Sequence, residues 1–156
     1  MTEVELLMKA LDEAHWELGE GFQGLPDEDV WRRPAPSLLS VGELASHIAF
    51  WEAQSFLGEG FESPLTTKAA HYYTTSIDRP LVLNLTAVEV LEEVKRVHEA
   101  CKAALSSVPH SMEDPSPHRE GWTIGYTLRY QAFHVAYHAG QIYSVRHLLG
   151  HQTTDN

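Results

Sequence analysis

Residues 123-TIGYTLRYQAFHVAYHAGQI-142 read as helix, and the reading extends to Gly150, a glycine suited to the C′ position. His134 and His138 stand four residues apart in it. An α-helix turns ~100° per residue, so this spacing stacks two imidazoles on one face, where both can reach one metal ion. Tyr130, His134, His138 and Gln141 share a narrow stripe that Val145 and Leu148 continue. The lower end of that stripe is core-like. A buried imidazole must find a hydrogen-bond partner or a metal, because an unsatisfied buried polar group costs ~1–3 kcal/mol. Phe133, Val135, Tyr137, Ile142, Tyr143 and Val145 spread over several sides of the same helix. A helix apolar all round is central or covered by another molecule, so a homodimer using part of it is expected.

Working outward, three more helices announce their starts. Thr2/Glu5, Ser40/Glu43 and Thr86/Glu89 each fit the S/T-x-x-E capping box. The first helix should run from Glu3 to Gly21 on the stripe Val4, Leu7, Leu11, Ala14, Leu18. Pro26, Pro34 and Pro36 keep regular structure out of the first connection. The second helix follows Ser40 and ends near Gly58 or Gly60. It contains 43-ELASHIAFWE-52, in which Leu44, His47, Trp51 and Gln54 share a face. The third follows Thr86 and stops before Pro109. Its stripe includes Val94, His98, Cys101 and Leu105. No strand pattern persists, since Pro80 and Asn84 interrupt the apolar run 81–85. The expectation is all-α: one four-helix-bundle domain over residues 1–156. The 61–85 link exceeds the ~2–8 residues usual between bundle helices. A long crossover lets consecutive helices run parallel, which favours up-down-down-up topology. Carrying His71, Tyr72 and Tyr73, it could roof a pocket.

Composition narrows the function. Hydrophobic residues at 43% and charged residues at 21% of 156 fit a globular domain. A formal charge of −11 repels phosphate backbones and argues against nucleic acid. Cys101 is the sole cysteine, so neither a disulfide nor a Cys-rich zinc site can form. The acidic amphipathic N-terminus does not fit a signal peptide, and no apolar run approaches the ~20 residues of a membrane span. A cytoplasmic location is expected. H-E-x-x-H, E-x-x-H, P-loop, G-x-G-x-x-G and G-x-S-x-G motifs are absent.

Ten histidines must be sorted. His47 lies on an apolar face of its helix, and with the His134/His138 pair would complete a three-imidazole site. Spacing alone does not bring it there, and core histidines bonded to carbonyls or hydroxyls are the competing account. His98, in the third stripe, reads as a core or rim residue. His15, His110 and His118 read as exposed, and His147 and His151 as a solvated, fraying terminus. Trp31 is expected to plug the bundle end while Arg32 and Arg33 face solvent.

Three blocks resemble a known family. They are 30-VWRRPAPSLLS-40, 40-SVGELASHIAFWE-52 and 123-TIGYTLRYQAFHVAYHAGQI-142. They are similar to the Trp/Arg/Pro loop, the S-[IV]-x-E-L-x-x-H-[IL] block and the H-x-x-x-H-x-G-Q block of the DinB/YfiT-like superfamily of helical bundles. The resemblance implies a metal triad of His47, His134 and His138, a divalent transition metal (usually zinc or nickel), and frequent dimers. It also implies that up-down-down-up topology. Val135 and Ala139 stand where the family often has Glu and Arg, so polar roles at those positions are lost here.

The resemblance implies a metalloenzyme whose open coordination position carries the reaction, with no further catalytic side chain. Some members use small cellular thiols, so transfer of a low-molecular-weight thiol to a small electrophile is expected ahead of hydrolysis. Gln141, Tyr130 and Trp51 are candidates to support the metal or line the pocket. The alternatives are a non-catalytic bundle with a structural or adventitious metal, and a metal-free module binding a small ligand.

Overall fold

At three helix starts a serine or threonine accepts from the N3 backbone N–H, while the N3 glutamate accepts from the cap's own N–H. These are Thr2/Glu5, Ser40/Glu43 and Thr86/Glu89. They open α1 (Glu3–Gly21), α2 (Val41–Phe56) and α4 (Ala87–Ser106). The fourth long helix, α5 (Ile124–Leu148), is capped by Thr123 alone. This computed structural model describes residues 1–68 and 79–154, and among them there is no strand. His71, Tyr72 and Tyr73 lie outside the described residues.

The 61–85 link contains a short helix, α3 (Pro64–Lys68), that the periodicity does not announce. Ser63 accepts from the Leu65 N–H through its hydroxyl, and proline at the first helical position forfeits a bond that would be orphaned anyway. The helix is too short for any 3.6-residue pattern to register.

The core draws on all four long helices: Leu11 and Leu18, Ile48, Val94, and Leu128 and Ile142 are essentially inaccessible. Each buried aliphatic side chain contributes roughly 1.5–3 kcal/mol. Specific pairs fix the directions. Near their C-terminal ends α1 and α5 meet through Glu17–Tyr143 and Gly21–Arg146. Along α2 and α5 the partners run oppositely, from His47–His134 to Ser55–Gln131. α1 and α5 therefore run parallel, and α2 runs against both.

Several polar residues expected at the surface are inside. Arg33 is half-buried, its side chain only 9% exposed, and forks onto Glu43, at 2.7 Å through Nη2 and 2.9 Å through Nε. The cause is Glu43 itself: it is fully buried as the N3 member of its capping box, and a buried carboxylate requires a counter-ion. Arg32 keeps its expected exposure and pairs with Asp29. Trp31 packs against α2, its ring so close that a Cβ on Gly42 would lie 2.5 Å from it, and its indole N–H donates to the Leu85 carbonyl. The chain end is tied rather than frayed, because His151 bonds Asp29 at 2.6 Å and accepts from Arg146.

Candidate metal centre

α2 and α5 bring His47, His134 and His138 to one point. His134 Nε2 lies 3.0 Å from His47 Nε2 and 3.1 Å from His138 Nε2. The three are 3%, 7% and 9% exposed. Gln141, one turn on, places Oε1 at 2.6 Å from His138 Nδ1. An amide oxygen can only accept, so His138 Nδ1 carries the hydrogen and its Nε2 offers a bare lone pair to the cluster.

Hydrogens cannot satisfy this cluster. His134 Nε2 faces two other ring nitrogens and has at most one hydrogen to give. One cation satisfies all three lone pairs: ligand atoms ~2.0–2.1 Å from a tetrahedral ion stand about 3.3 Å apart, close to the separations found. The electrostatics agree. Desolvation, then the nearby His138, holds His47 down to about 4. Desolvation, then His138 and His47, holds His134 down to about 3. Desolvation also lowers His138, against the Gln141 hydrogen bond. Neutral imidazole is the form a metal ion needs.

A second cluster shows the contrast. His15, Glu52 and His98 also lie near enough to share an ion, but each contact joins a ring nitrogen to a carboxylate oxygen. His15 Nε2 meets Glu52 Oε2 at 2.6 Å, His98 Nδ1 meets Glu52 Oε1 at 2.6 Å, and His98 Nε2 meets Asp12 Oδ1 at 2.8 Å. Those are hydrogen-bond lengths, too short for two ligands of one ion. The imidazoles stack at 3.8 Å, and Lys102 closes the network on Asp12. His98 is thus the core histidine expected. His15, expected exposed, is 8% exposed: it follows Leu11 by one turn into the same packed face, where Glu52 supplies its partner. His118 is exposed and His110 half-buried.

The His47/His134 edge opens on a cavity of ≈ 200 Å³ whose walls include Trp51, Tyr130, Gln131 and Arg119. Trp51 and Tyr130 were legible candidates, whereas Gln141 meets the cluster from behind, through His138. Gln131 and Arg119 are not legible in the sequence. Gln131 is fully buried and donates to Ser55 Oγ at 2.8 Å, while its Oε1 has no hydrogen-bond partner among the described residues. Its position one turn before Val135 on the His134 helix was the available signal. Cys101 is buried, and desolvation, then Glu52, pushes its thiol far up. It is no nucleophile.

The class defined here is a helical bundle with three imidazoles gathered at the mouth of a cavity, in an arrangement that fits a metal ion. The family model described as the DinB superfamily matches residues 10–142, and the chain belongs to that superfamily. The fold is similar to that of a conserved protein from Enterococcus faecalis, known from its crystal structure. The two share 19% identity at a TM-score of 0.66, over 97% of this chain and 99% of that one. Among curated proteins no match is found. No helix among the described residues is long and apolar enough to cross a membrane.

Proposed function

We propose that His47, His134 and His138 hold a divalent transition metal, zinc or nickel, and that the chain is a cytoplasmic metal-dependent enzyme acting on small molecules. The convergence of three Nε2 atoms, which no arrangement of hydrogens can satisfy, carries this reading. A metal bound by three neutral ligands keeps its full charge and acts as a Lewis acid that lowers the pKa of a thiol or of water. The residues do the remainder. Gln141 fixes the tautomer and the ring orientation of His138. Trp51 and Tyr130 wall the cavity with apolar surface and restrict water.

The reaction favoured is transfer of a low-molecular-weight thiol to a small electrophile, with hydrolysis second. The inert Cys101 supports an external thiol, since the chain has no other cysteine to supply one. Structural zinc usually takes four protein ligands, and among the described residues this group offers three, which favours a reactive over a structural metal. The reading includes a homodimer formed through the exposed aromatic side of α5.

The test is metal content. Protein purified without an affinity tag should carry stoichiometric zinc or nickel by elemental analysis. His134→Ala and His138→Ala should each remove it and leave the helical circular-dichroism signal intact. Stoichiometric metal retained in both variants overturns the proposal.

A further inference from the structure

Arg119 lies in the connection between α4 and α5, which comes down over the end of α2. At the contact, Gly58 has φ +74°, and a Cβ there would sit 2.6 Å from the His118 ring. Its neighbour Arg119 is half-buried and forms part of the cavity wall with His47 and His134. The guanidinium stands 4.3 Å from the centre of the Trp122 ring and 5.4 Å from that of Trp51. Two aromatic faces hold it by cation–π attraction and fix where its N–H groups can point.

Among the described residues no acidic side chain pairs with it. Arg32, Arg33 and Arg96 each pair with a carboxylate, and acidic residues outnumber basic ones by 22 to 11. Arg119 nevertheless has no ion pair and no side-chain hydrogen bond among the described residues. It instead shares the cavity wall with His47 and His134. A guanidinium in a partly desolvated pocket gains most from a planar oxyanion, which it can bind through two parallel N–H bonds. The fully buried Gln131 is part of the same wall, and its Oε1 has no hydrogen-bond partner among the described residues, so Arg119 is not the wall's only polar side chain.

We infer that Arg119 is the substrate-anion subsite of this cavity: the ligand is a small organic carboxylate whose carboxylate meets Arg119 while its other end reaches the three-histidine cluster. This rests on the metal reading above for its second half only. The indole and phenol walls, Trp51 and Tyr130, accept a flat apolar body between the two ends.

Two rigid probes separate the possibilities. In para-mercaptobenzoate the ring keeps the carboxylate off a metal that holds the thiolate; in para-methylbenzenethiol a methyl group replaces the charge. Calorimetric titration of zinc-loaded protein should show the acid binding at least about tenfold tighter, the value of one charge-assisted contact. Arg119→Gln should make the two probes equal, with the methyl probe's affinity and the zinc content unchanged. Arg119→Lys should keep part of the preference. A preference that survives Arg119→Gln, or an equal loss for both probes, overturns the inference, the second outcome by showing a merely structural role. If the protein holds no zinc, the same pair is titrated by tryptophan fluorescence. An Arg119-dependent preference there upholds the subsite while the metal reading falls, and its absence sinks both.

Discussion

The hydrogen bond from His138 Nδ1 to Gln141 does the quietest work in the cluster, and its worth can be measured. It commits His138 to the tautomer with a free Nε2 and keeps the ring from rotating. Partners of this kind typically account for 10–100-fold in metal affinity. Gln141→Ala should therefore weaken zinc about 10–100-fold in competition with a chromophoric chelator, with no change in helicity. Gln141→Glu should recover much of the affinity, since a carboxylate accepts the same hydrogen. Residue by residue, the sequence is legible where the neighbour is local and opaque where it is not. His134, His138 and Gln141 share one helix, and periodicity alone aligns them. His47 needs the family pattern to join them. Arg33, His15 and His151 were misplaced because their acidic partners stand 10, 37 and 122 positions away. Arg119 is opaque because it lies in a loop, where no period applies.

At the scale of elements, helix starts were read directly because a capping box is complete within four residues, and all three are present. The five-residue α3 and the joints between helices were not legible. One of those joints is the network that links Asp12 and His15 of α1 to Glu52 of α2 and to His98 and Lys102 of α4. Burial would raise the Glu52 carboxyl, but the imidazoles of His15 and His98 outweigh it and hold it down to about 2, from an ordinary 4.5. Burial works against the His98 imidazolium too, yet Glu52 and then Asp12 raise it above its ordinary 6.5. A depressed carboxylate contributes stability above pH 4.5 and loses it as pH falls towards 2. A raised imidazole contributes below pH 6.5 and loses it as pH climbs through the raised value. Both contributions coexist between about pH 4.5 and 6.5. Breaking a buried pair by removing one partner costs about 3–5 kcal/mol. Urea unfolding of Glu52→Gln against the parent should show the largest gap within that window and a narrower one on either side. A gap that does not vary with pH would assign the network a packing role alone.

At the scale of the molecule, α5 carries two faces with different tasks. Val135, Ile142 and Val145 are buried against the bundle, whereas Tyr126, Phe133, Tyr137 and Leu148 are 43%, 63%, 54% and 64% exposed. Tyr126, Tyr130, Phe133 and Tyr137 form a continuous run of ring contacts along the helix. A contiguous apolar stripe of this kind on an otherwise acidic protein is characteristic of an interaction surface. The homodimer proposed above would cover this stripe against the repulsion between two chains of net charge −11. Light scattering in dilute solution should give twice the 17.5 kDa chain mass. Phe133→Glu, which points outward and is not part of the cavity wall, should halve that mass and leave metal content untouched. Because Tyr130 belongs to both the stripe and the cavity wall, the monomer should also bind cavity ligands more weakly. A monomeric parent protein would remove the dimer from this account and leave the histidine centre standing.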